Sequence, residues 1–141
     1  MEFNQIAVSL YILITVVVIL FQLFLVFGAP WGEFTQGGRH KGVLPTSGRV
    51  SAAVSIPILI FMALSISSVV GFLPNWSIRT AYITIALQGV TAIFNWITPS
   101  QKEKRLWGPV TTIAFILAAY ATYSTNALVL SINQALCSLI N

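Results

Sequence analysis

The chain has 141 residues and a formal net charge of +4, yet only 7% of its residues are charged and 57% are hydrophobic. Mean hydropathy is +0.88. A water-soluble domain carries roughly 25% charged residues, so this composition excludes an ordinary soluble surface and makes a bilayer the expected solvent. The seven basic residues lie in short segments between apolar runs, with no basic helix and no interleaved aromatics, which argues against nucleic acid as a partner. A single cysteine, Cys137, excludes an intrachain disulfide and a cysteine-based metal cage. No cofactor and no metal is expected.

The first apolar run covers residues 6–27 and holds no charge. As a helix it is about 33 Å long, enough for a hydrocarbon core of roughly 30 Å. Its start, "MEFNQ", lacks the basic residues of a signal peptide, and the run is too long for the apolar region of one. A retained span is expected. The β-branched stretch "TVVVI" favours strand in water, but in lipid an isolated run of this length satisfies its backbone only as a helix.

The segment 28–45, "GAPWGEFTQGGRHKGVLP", interrupts the apolar chain. Gly28 suits a left-handed helix stop and Pro30 opposes continuation. Gly37 and Gly38 permit positive φ and close backbone approach. Glu33 is expected to pair with Arg39 across the turn. Val43 and Leu44 are expected to dip into the interface before the next helix. Arg39, His40 and Lys41 suggest phosphate recognition, and lipid headgroups are the phosphate at hand. A catalytic reading would use His40 as general base with Glu33 orienting it. There is no nucleophile motif, no second histidine and no Gly-Lys-Ser/Thr ending of a P-loop, so no catalytic residue is assigned.

Three further runs follow, over residues 50–73, 79–97 and 109–130. Pro57 falls inside the second and is expected to kink it. The basic residues Arg39, Lys41 and Arg49 of the first loop and Lys102, Lys104 and Arg105 of the third lie on one side of a four-span chain, against Arg79 on the other. By the positive-inside rule, loops one and three are cytoplasmic and both termini outside. Trp31, Trp76, Trp96 and Trp107 fall near span ends and read as interfacial anchors. In the third loop, Ser100 and Glu103 have the spacing of a capping box, which suggests a short helix leading into the fourth, with Glu103 also free to pair with a base of loop one. The tail from Ser131 onward has apolar residues at helical spacing, and sequence does not decide whether it extends the fourth helix or bends into the interface.

Inside the runs the polar candidates are Gln22, Gln88, Asn95 and Asn126, with many serines and threonines. No ionisable carboxylate lies within a run, which argues against proton-coupled export. Interhelical packing accounts for the amides more simply than transport does. At the surface, Glu33, Arg39, His40, Glu103, Lys104 and Arg105 form a candidate polar cluster on one face.

The two loops, with Gly28, Ala29, Pro30, Gly32, Gly37, Gly38, His40, Leu44 and Pro45 in the first and Asn95, Thr98, Ser100, Glu103 and Pro109 around the third, resemble an uncharacterised family of small bacterial four-helix integral membrane proteins with a GAPxG…GGxH…LP loop. Lys104 stands where that family has Arg, and Lys102 where it has Pro. The resemblance implies a multi-pass protein of the bacterial cytoplasmic membrane and implies no activity.

The expected fold is thus all-α: a single integral membrane domain over residues 1–141, a four-helix transmembrane bundle, N-out and C-out, with structured cytoplasmic loops. The leading function is non-enzymatic, with those loops binding a protein partner or anionic lipid headgroups. The alternatives are a small transporter or channel subunit acting as a homo-oligomer, and a membrane enzyme acting on lipid.

Overall fold

The computed structural model describes residues 3–140. It is helical throughout: α1 (Phe3–Val26), two 3₁₀ turns (Gly32–Phe34 and Gln36–Gly38), α2 (Thr46–Val69), α3 (Ile78–Ile97) and α4 (Gln101–Ile140). All four helices are long and apolar enough to cross a membrane. Their outer faces carry large exposed apolar side chains such as Leu13, Val54, Ile93 and Ile116, the pattern of a multi-pass protein whose solvent is lipid.

The helices form a ring in which α1 packs on α2 and α4, and α3 packs on α4 and α2; the seam between α2 and α3 is the sparsest. The core between them joins Ala7, Val8 and Tyr11 of α1, Ile66 of α2, Ala81 of α3 and Ala114, Ala118 and Ala121 of α4. The three alanines lie on one stripe of α4 and let the neighbouring backbones approach, which is how helices associate where lipid removes the hydrophobic drive. A second core near the first loop joins Leu25, Leu44 and Ala52. Leu44 is thus buried between helices instead of lying in the membrane interface, while Val43 is exposed.

The boundaries differ most from the hydropathy limits in α2 and α4. α2 covers 46–69 rather than 50–73, shifted by one turn, because Pro45 holds extended backbone (φ −63°, ψ 166°) immediately before Thr46 and starts the helix there. α4 begins at Gln101 instead of 109 and runs to Ile140 instead of 130. Its charged first turn is helical because the Ser100 hydroxyl accepts from the Glu103 amide at 3.2 Å. Pro109 is thereby internal, not initiating. The tail continues α4, and its described side chains beyond Asn126 are all exposed. Forty residues make a rod of about 60 Å, twice a hydrocarbon core.

Two loop ends explain the turn at residues 28–45. Gly28 has φ +94°, and the amides of Gly28 and Ala29 return to the carbonyls of Leu25 and Phe24. Arg49, assigned to the loop by sequence, lies in the first turn of α2, and its Nε donates to the Val26 carbonyl at 2.8 Å. That orphan carbonyl at the end of α1 is thus closed by a cation where the helix dipole favours one. At the opposite end, Asn4 clasps α4: its amide donates to Thr125 at 3.2 Å and its oxygen accepts from Ser124 at 2.6 Å.

Among the described residues, two hydroxyls within the helices, those of Tyr11 and Thr84, are fully buried without a hydrogen-bond partner. A buried donor without an acceptor is costly, and its removal by an isosteric apolar side chain is neutral or favourable. Tyr11→Phe is therefore expected to raise stability by about 1 kcal/mol, read as the midpoint of reversible unfolding in mixed micelles.

Candidate functional site

The first loop is built by backbone, not by charge. The Gly32 amide donates to the Gly42 carbonyl at 2.8 Å, drawing the loop into a closed ring. A Cβ at Gly32 would sit 2.6 Å from the His40 carbonyl oxygen and 2.7 Å from that of Gly42, so the position admits only glycine. Gly37 and Gly38 hold positive φ of +77° and +65°. The Gln36 side chain reaches the Gly48 carbonyl at 2.8 Å and fixes the loop to α2.

The loop then docks on the start of α4. The Glu103 carboxylate is buried, and its Oε2 accepts from the Gly37 amide at 2.8 Å and from the Thr98 hydroxyl at 2.8 Å. Ser100 donates to the Glu33 carbonyl at 2.9 Å, and the Trp107 indole donates to the Phe34 carbonyl at 2.9 Å. The capping box is half formed: Ser100 accepts from the Glu103 amide, but the Glu103 side chain turns away to the loop, and the Ser100 amide is left to Thr98 at 3.4 Å.

Of the six residues in the candidate polar cluster, Glu33 and Glu103 meet the other loop, and neither does so through the expected partner. Glu33 pairs with Lys102 at 2.7 Å, not with Arg39. The reason is geometric: the second 3₁₀ turn carries Arg39 outward, while α4 brings Lys102 under Glu33, where its ammonium also lies 5.7 Å from the Phe34 ring centroid. Glu103 pairs with an amide and a hydroxyl rather than with a base. Arg39, His40, Lys104 and Arg105 form no ion pair among the described residues. His40 is exposed and Glu33 is committed to Lys102, so a His40–Glu33 dyad does not form. Lys102 and Thr98 were absent from the sequence-derived cluster; the capping-box spacing at Ser100 was the one clue that this segment begins a helix and brings Lys102 within reach.

Beneath the docked loop, between all four helices, lies a cavity of about 350 Å³. Gln22, Gln88 and Asn95 line it, together with Thr35, Glu103 and Trp107 at its loop end. Three of the four predicted intramembrane amides thus share one space. Asn126 does not: it donates to the Tyr82 hydroxyl at 3.0 Å near the other end of the bundle. Trp107, expected as an interfacial anchor, is drawn inward instead, with Phe21 against it edge-on at 4.7 Å between ring centroids. Trp31 stacks on Phe21 from outside.

Comparison with known proteins finds no matching family model, no matching curated protein and no matching solved structure.

Because both obstacles to a Cβ at Gly32 are backbone oxygens, Gly32→Ala is expected to cost about 2 kcal/mol of loop closure. Trypsin should then cut at the exposed Arg39 and Lys41 roughly thirtyfold faster in limited proteolysis. An unchanged rate would mean that the loop ring is not closed by that contact.

Proposed function

We propose that this is a non-enzymatic multi-pass membrane protein whose first and third loops form one rigid basic face that holds anionic lipid headgroups. One observation supports this reading above the others. Both acids of the face are committed internally, Glu33 to Lys102 and Glu103 to the loop backbone and Thr98, so Arg39, Lys41, Lys104 and Arg105 are left without carboxylate partners among the described residues. Cations on a rigid surface at the edge of a bilayer attract phosphates, at about 1 kcal/mol each. The distribution of Lys and Arg supports placing this face in the cytoplasm, with both termini outside, as in a bacterial cytoplasmic membrane.

A second reading, a small transporter or channel subunit working as an oligomer, is favoured by the gathering of Gln22, Gln88 and Asn95 around one cavity. The enzymatic reading loses its geometry with the His40–Glu33 dyad.

The headgroup reading is tested with the full chain in nanodiscs containing phosphatidylglycerol or only phosphatidylcholine. The Arg39→Ala, Lys41→Ala double variant should retain phosphatidylglycerol roughly twentyfold less tightly, at about fivefold per cation, when bound lipids are counted by native mass spectrometry. Equal retention by wild type and variant would overturn it. For topology, a reporter joined after Asn141 should be active outside the cytoplasm and silent within it.

A further inference from the structure

The cavity beneath the loop has an unusual chemical balance. It is lined by hydroxyls and amides, and four of its five hydroxyls already donate to helix carbonyls. Thr15 donates to the Tyr11 carbonyl, Ser55 to Ala52, Thr91 to Leu87 and Thr111 to Trp107. The Gln88 amide nitrogen donates to the Thr111 carbonyl at 3.2 Å and that of Asn95 to the Thr91 carbonyl at 2.9 Å. Because a carbonyl only accepts, these bonds fix both amides with nitrogen toward the helix and oxygen left over.

Among the described residues Gln88 Oε1 and Asn95 Oδ1 make no hydrogen bond, and Glu103, which lines the cavity, uses only Oε2 toward the loop, so Oε1 is uncommitted. Gln22 and Thr35 make no side-chain hydrogen bond among the described residues, and Gln88 and Asn95 each keep a second N–H, so the lining offers neutral donors as well as acceptors. The one formal charge among the lining residues is the Glu103 carboxylate, and the guest that matches it best is a cation that also donates hydrogen bonds. The walls around these groups are apolar, including Ile14, Val18, Leu59 and Met62. The cavity's mouth is at the sparse seam between α2 and α3, where the lining residues Ile58, Leu87 and Thr91 are exposed. A volume of about 350 Å³ falls within the range of small-molecule pockets.

We propose that this cavity is a binding site for a small amphiphilic organic ammonium, which enters from the bilayer between α2 and α3 and places its N–H groups on Glu103 Oε1 and the Gln88 and Asn95 oxygens, with its hydrocarbon part against the apolar walls. The site is the cavity of the transport reading above, but it is read by binding alone, so the absence of flux would count against transport and not against the site. Headgroup binding on the outer face is independent of it.

The experiment titrates the full chain in detergent with octylammonium chloride and, separately, with 1-octanol, following tryptophan fluorescence, since Trp107 lines the cavity. Octylammonium is expected to saturate at one per chain and to bind at least tenfold more tightly than the alcohol. Glu103→Gln, whose oxygen can keep the Gly37 and Thr98 bonds while an NH₂ replaces Oε1, should abolish that preference. Ser55→Trp, which fills the cavity without touching Glu103, should abolish saturable binding of both and covers the case in which the Glu103 variant fails to fold. Equal affinities for amine and alcohol in the wild type, non-saturable partition alone, or wild-type amine binding by Ser55→Trp would each overturn the proposal and leave a cavity that holds water only.

Discussion

A carboxylate taken out of water needs donors, and Glu103 finds them in the Gly37 amide and the Thr98 hydroxyl. Much of the organisation at this end of the bundle follows from that requirement. The carboxylate draws the second 3₁₀ turn onto the start of α4, which brings the Glu33 carbonyl to Ser100 and the Phe34 carbonyl to Trp107. Placed in the first turn of α4, the negative charge also sits where the helix dipole is positive. The glycines of the loop serve this contact: at Gly38 a Cβ would stand 2.7 Å from the Ser100 hydroxyl, so a side chain there would push the two segments apart.

The same arrangement separates two chemistries on either side of one loop. Outside, Arg39, Lys41 and Arg105 are exposed and have no acidic partner among the described residues. Inside, the cavity is lined by amides, hydroxyls and the buried Glu103. The loop between them is held by hydrogen bonds rather than by ion pairs between its two sides, so added salt acts on the outer face far more than on the clasp. Among the described residues the one ion pair, Lys102 with Glu33, is partly exposed and contributes little by itself.

The four spans were legible because lipid imposes a simple rule, long uncharged runs, that sequence reports directly. Gly28 and the Gly37–Gly38 pair were legible for a similar reason: positive φ is a local property. What escaped was decided by packing between distant segments. Glu33 chooses Lys102 over the nearer Arg39 because the 3₁₀ turn points Arg39 away, a direction that spacing along the chain does not encode. Hydropathy discounts "QKEKR", and although the capping pattern at Ser100 marked a helix there, its continuity with the fourth span through Pro109 was not legible. Trp107 looked like the other span-end tryptophans until the docked loop supplied its acceptor. Gln22, Gln88 and Asn95 were visible as polar residues in apolar runs, but their meeting around one space depends on how α1 and α3 are rotated toward each other.

The hydrogen bond from Gly37 to Glu103 joins residues 66 positions apart, with α2 and α3 lying between them in the chain. During synthesis, at roughly 5–20 residues per second, the first loop therefore waits about 3–13 s after its own emergence before its partner carboxylate exists. Until then its glycine amides and carbonyls have only water and headgroups to bind, and the cavity has no roof. The first two helices therefore pair through their own contacts before the start of the fourth reaches the loop. A chain stopped before Glu103 would carry α1, α2 and α3 but neither α4 nor the docked face.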